Sequence, residues 1–303
     1  MSSYEFDPNR QSAAFCPCGK SNHDGKFSPF KGYRDKGHCF GCGDNFFPDS
    51  PKSEPSRKEG KAAETLARPS FISAKVLKQS LRLYHENTLL EFIEKLTDQE
   101  TAIRIRNDYL LGTSKSFWRG ATVFWQVDVS GKVRDGKIIQ YAMRQDESCF
   151  IGQNCGRVRT NVPPVMWVHK LMKAKDYILK QCFFGEHLLV MFPERKVGIL
   201  ESEKSALIAT AYRPDVLWLA CGGVTGLTEE KVKVLEGRNV TLFPDLGKFV
   251  EWKEREDMMK KQLPQAVIKT FDLLEQTATN EERKQGLDLA DFLIRSEWSK
   301  YRK

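Results

Sequence analysis

The sequence predicts an α/β protein with a parallel-sheet core, preceded by a mixed α+β region and a small cysteine-rich ribbon at the N-terminus. Short apolar runs in the last third of the chain are separated by helical stretches, which is the pattern of β-α-β units. Two of these runs end in or near a carboxylate. Two pairs of cysteines lie between residues 16 and 42. These observations define the fold class and the regions where chemistry is expected.

The predicted strands of the parallel sheet lie at residues 197–201, 216–221 and 239–245, with a helix beginning near Ser202. Glu201 ends the first strand and Asp245 ends the third. Side chains at the carboxyl ends of parallel strands meet in one crevice, so we expect these two acids to lie together. Mg²⁺ prefers carboxylate oxygen, and the pair therefore predicts a divalent-cation site.

The same stretch resembles a known family. Leu-Glu-Ser-Glu-Lys-Ser-Ala-Leu at 200–207 is similar to the glutamate motif of Toprim domains, which occur in bacterial and phage primases, topoisomerases and some nucleases. Phe-Pro-Asp-Leu-Gly at 243–247 resembles the second Toprim motif, normally Asp-x-Asp. The sequence departs from the family at Ser202, where Gly is usual, at Ser205, where Asp is common, and at Gly247, where the second Asp belongs. Water, substrate phosphate, Glu203 or Glu251 would then complete the metal site.

Four cysteines near the N-terminus, Cys16, Cys18, Cys39 and Cys42, form two closely spaced pairs, each followed by glycine. Four thiolates satisfy tetrahedral Zn²⁺ without an open position, which is typical of a structural site. The first pair is separated by one residue only, so His23 or His38 remains an alternative to Cys16. We expect residues 1–48 to form a zinc ribbon and residues 49–68, rich in Pro, Ser, Lys and Glu, to form a flexible linker.

The two cysteine segments are similar to the N-terminal zinc-binding domain of phage and bacterial primases. The resemblance implies contact with a single-stranded template. Aromatic faces stack on splayed bases while cations follow phosphates. The residues predicted for this role in the ribbon are Lys20, Lys31, Tyr33 and Arg34.

Residues 69–180 are predicted to be helical at 72–108 and then strand-like, with a hairpin turn at 130–132 between strands at 121–128 and 133–141. Within this region, residues 113–180 hold twelve Lys and Arg against five Asp and Glu. Such an excess beside an acidic crevice suits a polyanion, although an ordinary solvated surface remains an alternative. The predicted nucleic-acid-binding residues are Arg119, Lys132, Arg134, Lys137, Arg144, Arg157 and Arg159.

Residues 181–303 are predicted to form the Toprim-like domain and its C-terminal helices. We expect a helix at 182–189 entering the core, and charged helices after Trp252. The segment 286–293 resembles one that follows Toprim domains in primase-like proteins of mobile elements. The chain contains no GxxxxGK[ST] motif, so no helicase motor is expected within it.

The resemblance implies metal-dependent nucleotidyl transfer on single-stranded DNA or RNA in the replication of a phage or mobile element. Glu201 and Asp245 would be catalytic and hold Mg²⁺ or Mn²⁺, and Lys204, Gly222 and Gly223 would contact phosphate. Nucleoside triphosphates and a separate replicative helicase are the implied partners. Two alternatives stay open: a binding module without catalysis, favoured by Gly247, and a Toprim nuclease that uses the same carboxylates to activate water.

Composition limits the cellular setting. The chain has 303 residues, a net charge of +8 and eight cysteines. No apolar run approaches the roughly 20 residues that span a bilayer, and the first residues lack the basic-then-apolar pattern of a signal peptide. We therefore expect a cytoplasmic protein without a membrane partner, whose cysteines are thiols or metal ligands.

Overall fold

A computed structural model of the chain describes residues 5–17, 21–23, 25–39, 45–46, 68–143, 150–151 and 165–301. The chain separates into two compact units, Met1–Thr65 and Leu66–Lys303. Each unit has its own buried apolar residues. Of the predicted ligand and binding residues, Cys18, Lys20, Cys42, Arg144, Arg157 and Arg159 lie outside the described residues.

The first unit contains a three-stranded antiparallel sheet in the order β1-β2-β3. The strands are β1 (Phe27–Pro29), β2 (Gly37–Cys39) and β3 (Asn45–Phe46), preceded by a 3₁₀ helix at Arg10–Ser12. Gly37 is required because a Cβ there would lie 2.2 Å from the Ser28 carbonyl oxygen on the neighbouring strand. Cys16 and Cys39 are both buried in the small core of this sheet, together with Phe27.

Three helices open the second unit: α1 (Ala74–Ser80), α2 (Thr88–Leu96) and α3 (Gln99–Asp108). Each begins at a side-chain cap, since Ser73, Asn87 and Asp98 accept backbone N–H groups of their own first turns. Their apolar faces contribute Leu77, Ile93 and Ile105 to the cores of the unit. The helical prediction for 72–108 is confirmed.

The antiparallel part follows as β4 (Gly112–Thr113), β5 (Thr122–Val127), β6 (Val133–Ile139), β7 (Ala142–Met143), β8 (Phe150–Ile151) and β9 (Val165–Trp167). Four of these strands form one sheet in the order β4-β5-β6-β9, while β7 pairs with β8. The predicted hairpin joins β5 and β6. Asp128 accepts hydrogen bonds from the backbone of Ser130 and Lys132 and so fixes its turn. The predicted strands and turn are confirmed.

The segment between the two large sheets differs from its prediction. Short helices occur at α4 (Val168–Leu171) and α5 (Leu188–Met191). The predicted helix at 182–189 is wrong for its first half, because Phe184 exchanges two backbone hydrogen bonds with Ala220, 3.0 and 3.2 Å long. Gly185, at φ +83°, turns the chain after this bridge, and helical structure begins only at Leu188.

The second half of the unit is a four-stranded parallel sheet in the order β11-β10-β12-β13. Its elements are β10 (Val197–Leu200), α6 (Glu203–Tyr212), β11 (Leu217–Ala220), α7 (Glu229–Val232), β12 (Asn239–Leu242), α8 (Phe249–Gln262), β13 (Val267–Thr270), α9 (Leu273–Thr277), α10 (Asn280–Gln285) and α11 (Leu289–Leu293). Its central positions Ile199, Leu219 and Leu242 are fully buried. The α/β fold class is confirmed, with three of these strands predicted. The edge strand β13 corrects the expectation of helices alone after Trp252.

Among the described residues, none of the helices is long and apolar enough to cross a membrane.

Candidate active site

The two acids predicted from the sequence lie at the carboxyl edge of the parallel sheet. Glu201 directly follows β10, and Asp245 lies three residues beyond the end of β12. These strands are parallel neighbours, and the Phe243 amide extends their pairing by donating to the Ile199 carbonyl at 2.9 Å. The extended pairing places the two turns that carry Glu201 and Asp245 side by side.

Two further acids, Asp288 and Asp291, join this edge from the start of α11. They form a capping box in which each side chain accepts the other's backbone N–H. The segment is held there because the Leu246 amide donates to the Leu287 carbonyl at 2.9 Å, and the Ser205 hydroxyl donates to the Asp288 carboxylate. We call Glu201, Asp245, Asp288 and Asp291 the acid cluster.

The charges of the acid cluster act on one another. The pKa of Asp245 is raised to about 7. Burial is the largest cause, and the carboxylates of Glu201, Asp288 and Asp291 add to it. Burial also raises the pKa of Glu201, with Glu251 and Asp288 contributing, against the opposing charge of Lys248. The pKa of Asp291 is raised by burial and by Asp288. Four partly buried carboxyl groups thus share a small volume that favours either protons or a cation.

The chemistry of this donor set fits Mg²⁺ or Mn²⁺, which take carboxylate oxygens and retain several waters. Among the described residues, no group of three or more His, Cys, Asp or Glu side chains is arranged so that it could hold a metal ion. Gly247 stands where the second Toprim acid is expected; its φ is +83°, and its amide donates to Glu275 at 3.3 Å. Asp288 and Asp291 are further carboxylates at the same edge.

The predicted phosphate-binding residues border the acid cluster. Gly222 and Gly223 have φ values of +79° and +118°, a turn that glycine adopts without strain. The Gly222 amide donates to the Glu201 carbonyl at 2.9 Å, and a Cβ at Gly223 would lie 3.9 Å from Glu201 Oε1. Lys204, on the first turn of α6, lowers the pKa values of Asp245 and Asp291 through its charge. All three residues therefore lie next to the acid cluster.

Lys137 links the antiparallel sheet to this site. Its ammonium pairs with the buried Glu203 at 2.9 Å, directly after the Glu201–Ser202 turn. Its charge also lowers the pKa of Glu201. Glu203, one of the acids considered as an extra metal ligand, is thereby neutralised by an internal partner.

Other predicted nucleic-acid-binding residues also have internal partners. Arg134 pairs with Asp128 at 2.7 Å, Arg119 makes two hydrogen bonds to Glu86, and Lys31 pairs with Glu5. The Lys132 ammonium lies 4.8 Å from the centre of the Phe71 ring. Tyr33 and Arg34 are exposed at the surface of the first unit.

The lysines of the 168–180 segment are more accessible. Lys170, Lys173 and Lys175 are exposed, beside the partly exposed apolar side chains of Leu171 and Met172. They belong to the region with the predicted basic excess, although the sequence did not single them out.

Asp245→Asn should stabilise the metal-free protein at high pH. Because the folded-state pKa of Asp245 is raised from 3.8 to about 7, the wild type loses stability as the pH rises between these values, when the unfolded chain ionises more easily than the folded one. At pH 8 the variant should gain up to about 4 kcal/mol, since a pKa difference of one corresponds to about 1.4 kcal/mol. Below pH 4 the difference should vanish.

Urea unfolding at several pH values in EDTA measures this effect. Asp257→Asn, an exposed carboxylate on α8, is the matched control and should change stability little at any pH. Equal stability of Asp245→Asn and wild type at pH 8 would contradict the shared burial of the acid cluster.

Comparisons with known proteins complete the description. Among solved structures, the chain is similar to the primase fragment of the bacteriophage T7 primase-helicase protein, with a TM-score of 0.37, 14% identity, and coverage of 94% of this chain and 98% of that one. It is also similar to the zinc-binding and RNA polymerase domains of the Aquifex aeolicus primase, with a TM-score of 0.38, 12% identity, and coverage of 73% and 62%. A DNA primase domain from Pseudomonas aeruginosa matches with a TM-score of 0.30, 9% identity, and coverage of 69% and 66%.

The search of curated proteins finds no match. The model of one family, described as a domain of unknown function (DUF6371), matches residues 87–246, which is more than half of the chain, and the protein therefore belongs to that family.

Proposed function

We propose that the protein is a primase-like enzyme that transfers nucleotides to a growing primer on a single-stranded template, in the replication of a phage or mobile element. The observation that carries this proposal is the acid cluster at the carboxyl edge of the parallel sheet. Its carboxylates come from the ends of two adjacent strands and from α11. Nucleotidyl transfer requires such a concentration of negative charge, because the reacting triphosphate must be held through divalent cations.

Glu201 and Asp245 are the residues proposed to hold Mg²⁺ or Mn²⁺, with Asp288 and Asp291 completing the set. A bound cation would neutralise the triphosphate and orient the primer 3′-oxygen for in-line attack. Lys204 and the Gly223 amide would contact phosphate oxygens, while Gly222 holds the turn through its bond to the Glu201 carbonyl. The Lys137–Glu203 pair fixes the start of α6, and with it the position of Glu201.

A binding module without catalysis is the second candidate. Gly247 favours it, because the acid expected there is absent and the backbone has a left-handed conformation, with φ +83°, that suits glycine. In this reading the chain would still bind single-stranded nucleic acid but would not extend a primer. A separate replicative helicase is the proposed partner in either case, as the resemblance to primases implies.

The first unit is proposed to hold one structural Zn²⁺ through Cys16, Cys18, Cys39 and Cys42. Two of these, Cys16 and Cys39, are buried in the same small core. A core of this size contributes little stability by itself, so a metal is the expected source of the rest.

Glu201→Gln should abolish primer synthesis, because it removes a charge from the acid cluster while preserving the size of the side chain. The assay follows labelled nucleotides incorporated on single-stranded DNA and RNA with Mg²⁺ or Mn²⁺. We expect a loss of at least about a hundredfold, the usual scale for removing a group that stabilises charge in a transition state.

Glu254→Gln is the control for this assay, since Glu254 is exposed on α8. An active wild type with an equally active Glu201→Gln variant would exclude the acid cluster as the active site. Template cleavage instead of synthesis would identify a nuclease, and no activity with either metal on any template would favour the binding module.

Replacing Lys170, Lys173 and Lys175 together by Ala should weaken single-stranded DNA binding. We expect the slope of log affinity against log salt to become shallower by about 2, at roughly 0.7 for each lost phosphate contact. Fluorescence anisotropy across a salt series measures the slope. The control replaces three exposed lysines of the C-terminal region, Lys261, Lys284 and Lys300. It removes the same charge and should leave the slope unchanged. An unchanged slope in the first variant would contradict the assignment.

Cys39→Ser should lose zinc. Metal analysis of the wild type should find about one zinc per chain, as expected for a closed four-ligand site. Cys182→Ser, at a buried thiol of the second unit, is the control and should retain the metal. Full zinc content in the Cys39→Ser protein would refute the proposed ligand set.

A further inference from the structure

A cavity of about 330 Å³ lies on the second unit beside the carboxyl end of β11. It falls within the range of about 300–1,000 Å³ typical of small-molecule sites. Its polar lining includes Lys180, Gln181, Gly222, Thr225, Thr228 and Lys231. None of the residues of this lining except Gly222 is used by the proposed reaction.

Lys231 is the buried charged residue of the lining, with only 8% of its surface exposed. Its ammonium donates to the Cys221 carbonyl at 2.9 Å and lies 4.8 Å from the centre of the Phe183 ring. An ammonium has three donors, and this carbonyl is its hydrogen-bond acceptor among the described residues. A buried cation with donors left over is a strong binding group for an anion, because water does not screen it there.

Gly226 leaves the space next to this ammonium open. A Cβ at Gly226 would lie 3.7 Å from Lys231 Nζ and 2.1 Å from the Cys221 carbonyl oxygen. The backbone therefore excludes any larger residue at this point, and the cavity reaches the buried cation. Hydroxyl groups of Thr225 and Thr228 add small polar groups to the wall.

The mouth of the cavity carries one opposing charge. Glu230 lines it and pairs with Lys180 at 2.5 Å. Glu230 thus neutralises Lys180. Within the described residues, the buried Lys231 has no ion-pair partner at hydrogen-bonding distance, and its charge faces the cavity. Burial lowers the pKa of Lys231, and the more distant carboxylates of Glu186 and Glu203 oppose this effect through space.

The cavity and the acid cluster share one wall. Gly222 lines the cavity, and its neighbour Gly223 lies beside Glu201 Oε1, which a Cβ there would approach to 3.9 Å. A chain of phosphate groups could therefore extend from cations at the acid cluster, across the Gly222–Gly223 turn, to Lys231. A ligand with a single carboxylate would not extend from the acid cluster to Lys231 in this way, because it lacks a chain of anionic groups.

We propose that this cavity binds the polyphosphate end of a nucleotide, with Lys231 as its buried cationic anchor. The assignment of that nucleotide as the incoming substrate rests on the proposed function, whereas the binding of polyphosphate by the cavity does not require it. The site is distinct in composition from the acid cluster: it binds through a cation, hydroxyls and backbone groups, without a metal.

The test measures binding of inorganic triphosphate, ATP and oligo-dT to the full chain by calorimetry in EDTA, where the acid cluster cannot contribute through a metal. Lys231→Met keeps the length of the side chain and removes its charge, so triphosphate and ATP should bind about 10- to 100-fold more weakly, the usual effect of losing a charge-assisted hydrogen bond. Lys233→Met, at an exposed lysine two residues away, should bind as the wild type does.

Glu230→Gln provides the opposite change, because it removes the repelling carboxylate and frees Lys180. Its affinity for triphosphate should rise by about threefold or more, while Glu229→Gln at the exposed neighbouring residue should have little effect. A merely structural role for Lys231 would not produce a gain at Glu230. If Lys231→Met fails to fold, Thr225→Trp, at an exposed wall residue, should block the cavity and abolish binding.

Wild-type affinity in the Lys231→Met or Thr225→Trp protein, or no polyphosphate binding by the wild type, would overturn the proposal. Binding of oligo-dT that competes with triphosphate would assign the cavity to the nucleic-acid backbone instead of a nucleotide. These measurements contain no divalent metal and follow binding alone. Their failure would therefore not contradict primer synthesis, and a failure of primer synthesis would not contradict polyphosphate binding.

Discussion

The arrangement of the second unit depends on bringing like charges together at a buried sheet edge. Glu201 and Asp245 are held at the same edge, because the strands that precede them, β10 and β12, are parallel neighbours in fixed register. Burial and mutual repulsion raise the pKa of Asp245 to about 7, so the metal-free site retains an electrostatic cost at higher pH. Surrounding cations reduce it: Lys204, Lys137 and Lys248 each lower the pKa of an acid in the cluster. A site that is unfavourable when empty and ionised is one that a divalent cation would stabilise.

Basic residues of the antiparallel sheet were predicted to bind a polyanion, and two of them have carboxylate partners inside the unit. Arg134 pairs with Asp128, and Lys137 pairs with Glu203. Lys137 joins the antiparallel sheet to the turn that carries Glu201, so it affects the acid cluster from within the fold. A count of charges along the sequence does not separate such internal pairs from exposed cations, because pairing is decided by contacts that are distant in sequence. Lys170, in the last turn of the short helix α4, and Lys173 and Lys175, in the irregular segment after it, are exposed.

The success of sequence reasoning followed burial. Strands β10 and β11 were predictable because their continuous apolar runs are those of strands covered on both faces. Strand β12 was predictable because buried Val240 and Leu242 alternate with less buried positions. The edge strand β13 was missed because its outward positions are exposed, with Val267 at 63%, and its short polar-apolar pattern is weak beside a long charged helix. The segment at 182–187 reads as apolar and helical, but a single backbone bridge from Phe184 to Ala220 determines its conformation. Asp288 and Asp291 carry the ordinary signature of a helix cap, and nothing local distinguishes a cap from a member of a site more than forty residues away.

Gly247 stands where the resemblance to Toprim domains leads us to expect a second acid, and the C-terminal segment brings other carboxylates to the same sheet edge. Asp288 and Asp291, at the start of α11, join Glu201 and Asp245 in the acid cluster. Their position depends on two contacts, the Ser205 hydroxyl with Asp288 and the Leu246 amide with the Leu287 carbonyl. Ser205 itself stands where the related motif commonly has an acid, and an acid there would repel Asp288 instead of donating to it. Under the proposed function, Ser205 and Gly247 therefore have complementary effects: position 247 provides no carboxylate, and the Ser205 hydroxyl holds Asp288 in the acid cluster.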